Sequence, residues 1–574
     1  MKAAGPSADG GCLSTLGQQR SMHSDNASQH VEATGTTTSV LTAARGLSTV
    51  SQLTASPPRQ SHRKREPSRS SAALANLSVQ YISIAIVLIQ GILLVPMYLR
   101  HIDHTLFGAW LAASQAITWL ALIDPGVSDL ARQQTAFAYG RGDFAAIGRA
   151  IASSYLIGTT VALVPAIAGT ALVPLVASRF HLPGAEAATL RHALLLASCA
   201  TSASLASFPP GAVLQGLQRN FTYGLVYIAG SVIGIVSTVF LLSRIGLASI
   251  PLGLLLRSLV WIAGWAVLVN QTASTHHVLI RASAREVRSN VALSGYTFVG
   301  RISQTLNTGI DAFFVGVLFG PAPTTAFVFT GRLFELVRLL EGRISVACLP
   351  SLSHLAGEGN ATQLRKISER LIRAIGWALA IGIGTAISGN RAFVRAWVGD
   401  KYFAGGTMTL LFALGAALSV LVDAVNFTLF AQGLIQRPAI ASCLQGLAKL
   451  ALALVLLRTF GTASILVAAI IAATGVLLWY VIVEWQAAFE VGVRQSLSFF
   501  ASILLPVALA CIFGLLWTQL PQKGGWAGLA LRSCTFCVLA VAALSGFDRR
   551  FRSEIRASVL HLAHIRNARH ATAA

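Results

Sequence analysis

The sequence predicts an all-α polytopic membrane protein with about fourteen transmembrane helices. Of its 574 residues, 54% are hydrophobic and only 11% are charged, whereas an ordinary soluble domain carries about 25% charged residues. Between residues 77 and 546 the apolar residues group into fourteen runs, most of them near the roughly 20 residues that a helix needs to cross a hydrocarbon core. An internal repeat further predicts two parallel-repeat six-helix bundles plus two extra C-terminal helices.

Composition divides the chain into five predicted segments. The N-terminal segment is rich in Ser, Thr, Ala and Gly and lacks hydrophobic periodicity, which is typical of disorder. The C-terminal segment spaces apolar residues three or four apart with arginines between them, which favours an amphipathic helix on the membrane surface. The segments are a disordered cytoplasmic tail (1–72), a first six-helix bundle (73–290), a second six-helix bundle (291–485), two additional transmembrane helices (486–546) and a basic amphipathic cytoplasmic tail (547–574).

The formal net charge of +22 indicates topology rather than nucleic-acid binding. Most basic residues lie beside apolar runs, and they are concentrated on the connections that follow even-numbered spans. Because cytoplasmic loops of membrane proteins carry an excess of Lys and Arg, both termini are expected in the cytoplasm. Nucleic acid is therefore not an expected partner.

Metal and cofactor chemistry are not expected. Cys534 and Cys537 have the spacing of a metal or redox pair, but they lie in an apolar run without a second ligand pair, so packing explains them better. The chain also lacks the glycine-rich lysine loop that binds nucleotide phosphates. The sequence therefore predicts no metal, no cofactor and no ATP hydrolysis.

The two halves of the chain repeat each other at one constant offset. Each half carries a Gly-x-Gly loop between its second and third spans, followed by Asp143 in the first half and Asn360 in the second. Because the halves begin an even number of spans apart, they share one orientation in the membrane. Three further pairs match at this offset: Asp124 with Glu341, Arg149 with Lys366, and Phe180 with Trp397.

Several short motifs, in this order and spacing, resemble one family. The first half contains Leu106-Phe-Gly-Ala-Trp110, Ile123-Asp-Pro-Gly126 and Gly140-Arg-Gly-Asp143, and the second contains Gly309-Ile-Asp311, Leu318-Phe-Gly320, Gly331-Arg-Leu333 and Leu349-Pro-Ser-Leu-Ser353. From about residue 75 to 460 the chain is similar to polysaccharide flippases, the O-antigen and exopolysaccharide translocases of the multidrug/oligosaccharidyl-lipid/polysaccharide exporter superfamily.

The resemblance implies a function and a location. It implies a transporter, not an enzyme, in the cytoplasmic membrane of a bacterium, that flips an undecaprenyl-pyrophosphate-linked oligosaccharide by alternating access. Its expected partners are that lipid-linked substrate, membrane lipids and a coupling proton or sodium ion. The alternatives are an ion-coupled small-molecule (multidrug) exporter of the same superfamily, or a membrane polysaccharide polymerase or ligase.

Charged residues inside the predicted spans are the candidate site, because a charge at mid-bilayer costs about 2.5 to 3.5 kcal/mol on insertion scales. Arg301, Gln304 and Asp311 share one polar stripe on the seventh span. Gln80 and Gln90 lie on a similar stripe of the first span. The substrate-binding candidates are Arg301, Arg332, Gln304, Gln80 and Gln90, with the arginines expected to bind pyrophosphate through bidentate hydrogen bonds.

Acidic residues in the spans are the ion-coupling candidates. Asp311 and Glu335 could carry a coupling proton or sodium ion, or could only neutralise the arginines, and Asp423 in the tenth span is a further candidate. A static alternative pairs Arg301 with Asp311 and Arg332 with Glu335, which locks helices together without binding substrate.

Overall fold

The computed structural model describes residues 69–554 and 556, apart from 125, 282, 285, 286, 289, 291–294, 358, 359, 435 and 522–524. All regular structure in these residues is helical, which confirms the predicted all-α class. Residues 1–68 of the predicted N-terminal tail and 557–574 of the predicted C-terminal tail lie outside the described residues. The boundaries of the five segments therefore stay predictions.

Seven helices of the first half have bounds among the described residues, and one of them is too short and too polar to span a membrane. This is α3, the 15-residue connecting helix between the second and third spans, which carries several charged and amide side chains. The helices are α1 (Arg69–His101), α2 (His104–Trp119, continued by a 3-10 turn over Leu120–Ile123), α3 (Val127–Arg141), α4 (Phe144–Ser178), α5 (Gly184–Gly216), α6 (Asn220–Ile245) and α7 (Ser249–Thr275).

Among the described residues, the second half and the C-terminal region form helices α8 to α18. The seventh span consists of α8 and α9, which are joined by a π-helical turn over Thr305–Gly309, and the twelfth consists of α15 and α16, joined by a π-helical turn over Ala473–Leu478. The helices are α8 (Gly295–Gln304), α9 (Asp311–Phe319), α10 (Pro321–Gly357), α11 (Ala361–Trp397), α12 (Gly406–Ala431), α13 (Gln436–Val455), α14 (Leu457–Phe460), α15 (Ser464–Ala472), α16 (Trp479–Phe489), α17 (Val493–Thr518) and α18 (Gly525–Phe547).

Length and hydropathy alone identify ten candidate spans among the described residues, or eleven if the bent pair α8–α9 is one span. One of the ten runs from Asn220 to Thr275, but it contains α6 and α7, which pack on each other as two spans. Helices α1 and α10 also have the length of a span, at 33 and 37 residues, and α10 carries charged residues that lower its hydropathy. With these, and with α6 and α7 counted separately, the described residues contain fourteen helical segments of spanning length, the number of spans that the sequence predicts.

The repeated Gly-x-Gly motif has a local structural cause. Gly142 ends α3 in the left-handed region with φ of +70°, where a side chain would be strained. Asp143 then caps α4, because its Oδ1 accepts the Ala146 N–H at 2.9 Å. At the matching position of the second half, Asn360 caps α11 by accepting the Gln363 N–H at 3.1 Å. The repeat therefore marks where the third span of each half begins.

Alternating helix directions define two sides of the helical bundle, here called the His104 side and the Asp124 side. The first is the side where α1 ends and α2 begins, and the second is the side where α2 ends. The connections rich in Lys and Arg are on the Asp124 side, which the sequence therefore predicts to be cytoplasmic.

Near the His104 side, one buried cluster contains residues from both halves of the chain. Phe329 of α10 packs against Phe107 of α2 and against Trp397 and Tyr402 of the second half. Trp397 also donates its indole N–H to the backbone carbonyl of Ile92 on α1, at 2.6 Å. Towards the Asp124 side, no buried cluster of the described residues joins the two halves: one lies within the first half (residues 138–269), and the other joins the second half to α17 (residues 334–511).

Candidate functional site

Helix α10 carries a line of charged side chains on one face. Arg332, Glu335 and Arg338 follow each other at intervals of three, which places successive side chains within one turn of each other. Arg332 Nη1 donates to Glu335 Oε2 at 2.7 Å, so the pair that the static alternative predicts is present. The Glu335 side chain is 56% exposed and that of Arg332 is 27% exposed. The charged face of α10 is therefore accessible rather than sealed inside the helix packing.

Arg332 reaches from the second half of the chain to the first. Its guanidinium lies against Gly91 of α1, where a β-carbon would come within 3.3 Å of Arg332 Cζ and closer still to Nη2. The absence of a side chain at Gly91 is what admits the guanidinium. Gln90, the residue before Gly91 on α1, is half-buried. Arg332 lies eleven residues from the start of α10, about 16 Å along the helix axis, so this contact is near mid-membrane.

Asp423 lies on α12 beside the charged face of α10. Its side chain is exposed, whereas its neighbours Val422 and Ala424 are buried. Helices α10 and α12 pack on each other, which places Asp423 near the charged face of α10. Two of the three ion-coupling candidates, Glu335 and Asp423, are thus accessible, and Glu335 is paired with Arg332.

Arg301 forms a different contact between the halves, nearer the Asp124 side. Its Nη1 donates to Asp124 Oδ2 at 2.7 Å and to the Asp124 backbone carbonyl at 3.1 Å. The second carboxylate oxygen of Asp124 accepts the backbone N–H groups of Gly126 and Val127, both at 3.1 Å, where α3 begins. The predicted static pair of Arg301 with Asp311 is wrong, because Asp124 at the end of α2 takes that arginine.

Asp311 is instead paired with a lysine of the eleventh span. Lys449 on α13 has a completely buried side chain, and its Nζ donates to Asp311 Oδ1 and to the Asn307 carbonyl, the latter at 2.6 Å. Asp311 thus neither contacts an arginine nor presents a free carboxylate.

The remaining candidates are two glutamines. Gln304 is the last residue of α8, and its side chain is exposed. Gln80 lies within α1, but its side chain is outside the described residues. The structure therefore brings Arg332 and Glu335 together beside the position of Gln90, whereas Arg301 and Asp311 are held by partners of their own.

A groove of 1050 Å³ lies between α11, α17, α18 and the start of the C-terminal tail. Apolar side chains such as Phe499, Leu509 and Phe536 line most of its length. Its end on the Asp124 side is lined by Arg373, Glu369, Asp548, Arg549 and Arg550. The groove is therefore amphipathic, with a long apolar part and one end rich in guanidinium groups.

Sequence reasoning missed two partners in this region: Asp124 for Arg301 and Lys449 for Asp311. Their only signal in the sequence was that each is a charged residue in or next to an apolar run, which requires a partner but does not identify it. The Arg301–Asp124 pair spans 177 positions and the Lys449–Asp311 pair spans 138.

The described helices share their fold with several solved membrane transporters, at low sequence identity. One similar solved structure is a multidrug resistance MATE family transporter in an inward-facing conformation, with 14% identity, 73% of this chain and 99% of that chain covered, and a TM-score of 0.55. Another is the lipid II flippase MurJ in an inward closed conformation, with 12% identity, coverages of 83% and 99%, and a TM-score of 0.56.

A third is a MOP superfamily transporter from Pyrococcus furiosus described as having a binding pocket of reverse polarity. It shows 15% identity, coverages of 74% and 95%, and a TM-score of 0.51. No protein-family model matches the chain, and no curated protein sequence matches it. At these identities the likeness concerns the fold, and the proteins that share it are transporters and flippases rather than enzymes.

Proposed function

We propose that this protein is a flippase that moves a lipid with an anionic, pyrophosphate-linked oligosaccharide headgroup across a bacterial cytoplasmic membrane by alternating access. The observation that carries the proposal is the position of Arg332. It is an accessible guanidinium near mid-membrane, at the junction of the two halves, and it has donors beyond the one that Glu335 accepts. Guanidinium groups bind phosphate oxygens through charge-assisted, bidentate hydrogen bonds.

The groove along α17 and α18 supports a substrate with a lipid tail. A soluble drug has no need of a long apolar surface outside the two halves, whereas a polyprenyl chain does. This groove therefore favours a lipid-linked substrate over a small soluble one.

A second candidate, an ion-coupled exporter of small cations, is favoured by the accessible carboxylates of Glu335 and Asp423. It requires that these groups, and not Arg332, bind the cargo. The two candidates therefore predict opposite effects for neutralising Arg332 on α10 and for neutralising Glu335 on α10 or Asp423 on α12.

The test is a flipping assay in proteoliposomes. A fluorescent, NBD-labelled polyprenyl-pyrophosphate disaccharide is incorporated, and its transfer between leaflets is followed by dithionite quenching. Arg332→Ala is expected to slow transfer about tenfold or more, because a hydrogen bond to a charged group contributes about 1.5 to 3 kcal/mol. Arg332→Lys is expected to restore part of the rate, since it retains the charge and loses the planar fork. Arg343→Ala, an exposed arginine on the same helix, is the matched control.

The same liposomes discriminate the second candidate. Transport of a cationic dye that is lost in Asp423→Asn and retained in Arg332→Ala would establish the exporter and contradict the flippase. Glu335→Gln separates two roles: if Glu335 only orients Arg332, flipping continues with an unchanged response to an imposed pH gradient. If Glu335 carries the coupling proton, the response to that gradient disappears.

A further inference from the structure

The seventh span is broken at its centre, and the break exposes backbone oxygens. Helix α8 ends at Gln304, the π-helical turn follows over Thr305–Gly309, and α9 starts at Asp311. The two parts of the span are bent by 47°. Carbonyl groups at such a break lack their regular helical partners, and the C-terminal end of α8 also carries the negative end of a helix dipole. This part of the span therefore favours a positive charge.

Several oxygen atoms converge at the break. The carbonyls of Asn307 and Leu306 lie 2.6 and 3.5 Å from Lys449 Nζ, and the Asp311 carboxylate contacts the same nitrogen. The side-chain oxygen of Asn307 is also buried and has no hydrogen-bond partner among the described residues. Backbone carbonyls of an unwound helix together with a carboxylate are the type of ligand set that binds sodium in membrane transporters.

The neighbouring helix α13 is fixed closely against this break. Asn307 Nδ2 donates to the Ser442 carbonyl at 2.9 Å, and Ser303 Oγ is 3.1 Å from the Ala439 carbonyl. At Gly446 a β-carbon would lie 2.5 Å from Leu306 Cβ, so only glycine permits this approach. Lys449 follows Gly446 by three residues and therefore projects its side chain on the same face of α13. These close contacts between α13 and the break hold the Lys449 ammonium group beside the oxygen atoms.

We propose that Lys449 acts as a tethered cation, filling a site for a monovalent metal ion that the break of the seventh span forms. One ammonium and one carboxylate leave the site neutral, as a single sodium ion would. The fixed charge holds the bend without a bound ion and keeps Asp311 from serving as a coupling site. Removing the side chain opens a sodium site in the same oxygen cluster.

The test measures thermal unfolding of the full-length protein in nanodiscs. The salts are sodium chloride and N-methyl-D-glucamine chloride at equal ionic strength. We expect the unfolding midpoint of the wild type to be the same in both. Lys449→Ala is expected to unfold at a lower temperature in N-methyl-D-glucamine chloride and to recover as sodium is added, with the saturation that binding to the folded state produces.

Two further variants identify the site. Lys449→Met fills the same volume with an apolar chain of similar length, so we expect no response to sodium. In Lys449→Ala combined with Asp311→Asn, the response is expected to be lost because the carboxylate ligand is gone. Binding of radioactive sodium to purified Lys449→Ala, and not to the wild type, provides a second readout that does not depend on the unfolding midpoint.

Three results would overturn the proposal. One is a saturable stabilisation of the wild type by sodium that Asp311→Asn abolishes, since the lysine would then share the site with an ion. A second is equal behaviour of Lys449→Ala in the two salts. The third is failure of Lys449→Ala to accumulate in membranes even when cells grow in high sodium, because sodium would then be unable to replace the ammonium.

Discussion

The two sides of the junction between the halves are built differently. On the His104 side a single buried cluster joins both halves through aromatic packing, and helices approach closely at Gly108 and Gly316. Nearer the Asp124 side the halves are joined by the Arg301–Asp124 ion pair and by Trp119, which donates to the Gly309 carbonyl at 2.9 Å. Buried clusters that span both halves are absent on that side among the described residues.

The difference indicates which side separates at lower cost. Apolar burial does little to hold helices together in lipid, so close packing of small residues and specific hydrogen bonds supply the attraction. The His104 side has both over a large area. The Asp124 side depends on a few polar contacts, and the Arg301 side chain is 32% exposed. The alternating access proposed above therefore assigns opening to the Asp124 side, starting from this conformation of the protein.

The largest effect on stability is expected from a substitution that disrupts helix packing on the His104 side. At Gly108 a β-carbon would lie 2.7 Å from Thr325 Oγ1 and would collide with the Pro321 carbonyl. Overpacking of this kind typically costs about 1 to 3 kcal/mol. Gly108→Val is therefore expected to lower the unfolding midpoint in nanodiscs and the amount of folded protein. Gly415→Val is the control, because no atom lies within 4 Å of a β-carbon there; equal loss in both variants would contradict the close approach.

An intermediate effect is expected from the ion pair on the Asp124 side. Arg301→Ala removes one partner of Asp124, whose carboxylate keeps two backbone donors, so we expect a cost of about 1 to 2 kcal/mol rather than the larger cost of stranding a buried charge. The halves should separate more readily. Spin labels at Ala145 and Ala361 of a cysteine-free protein are expected to show a longer distance distribution in Arg301→Ala.

Arg281→Ala, an exposed arginine of the connecting segment, serves as the control for that experiment. An unchanged distance distribution in Arg301→Ala would show that the ion pair does not restrain the halves.

The smallest effect is expected at an exposed ion pair on the His104 side. Arg391 binds the Asp400 carboxylate with two hydrogen bonds of 3.1 and 3.2 Å, and the hydrogen bond from Arg391 is the main cause that lowers the pKa of Asp400. A lowered carboxyl pKa adds stability above the pKa of the unfolded state, and this stability is lost as the pH falls through the folded-state pKa.

Because both side chains are about half exposed, solvent screens the pair. Asp400→Asn is therefore expected to leave the unfolding midpoint at neutral pH unchanged within error. A clear decrease would mean that this loop contributes to closing the His104 side.

The fold could be predicted from sequence because hydropathy and charge act along the chain. The sequence predicts α10 as a span despite its charges, since apolar residues continue on both sides of them. The pairing of Arg332 with Glu335 was also predictable, because positions three apart on a helix are neighbours. Pairings between residues of different helices could not be predicted from the sequence. Arg301 has Asp311 on its own polar stripe, yet the chain folds so that Asp124 is the carboxylate within reach.

The sequence by itself determined that the chain crosses a membrane many times, that its two halves repeat, and that each half begins its third span at a capped Gly-x-Gly loop. These properties follow from local interactions and from transfer of side chains between water and lipid. Only the tertiary structure decided that Gly91 admits Arg332, that Gly446 brings Lys449 to Asp311, and that the His104 side is the more tightly packed. Each depends on how closely two helices that are distant in sequence approach one another. A missing side chain at a single glycine controls that approach, and no local sequence pattern predicts it.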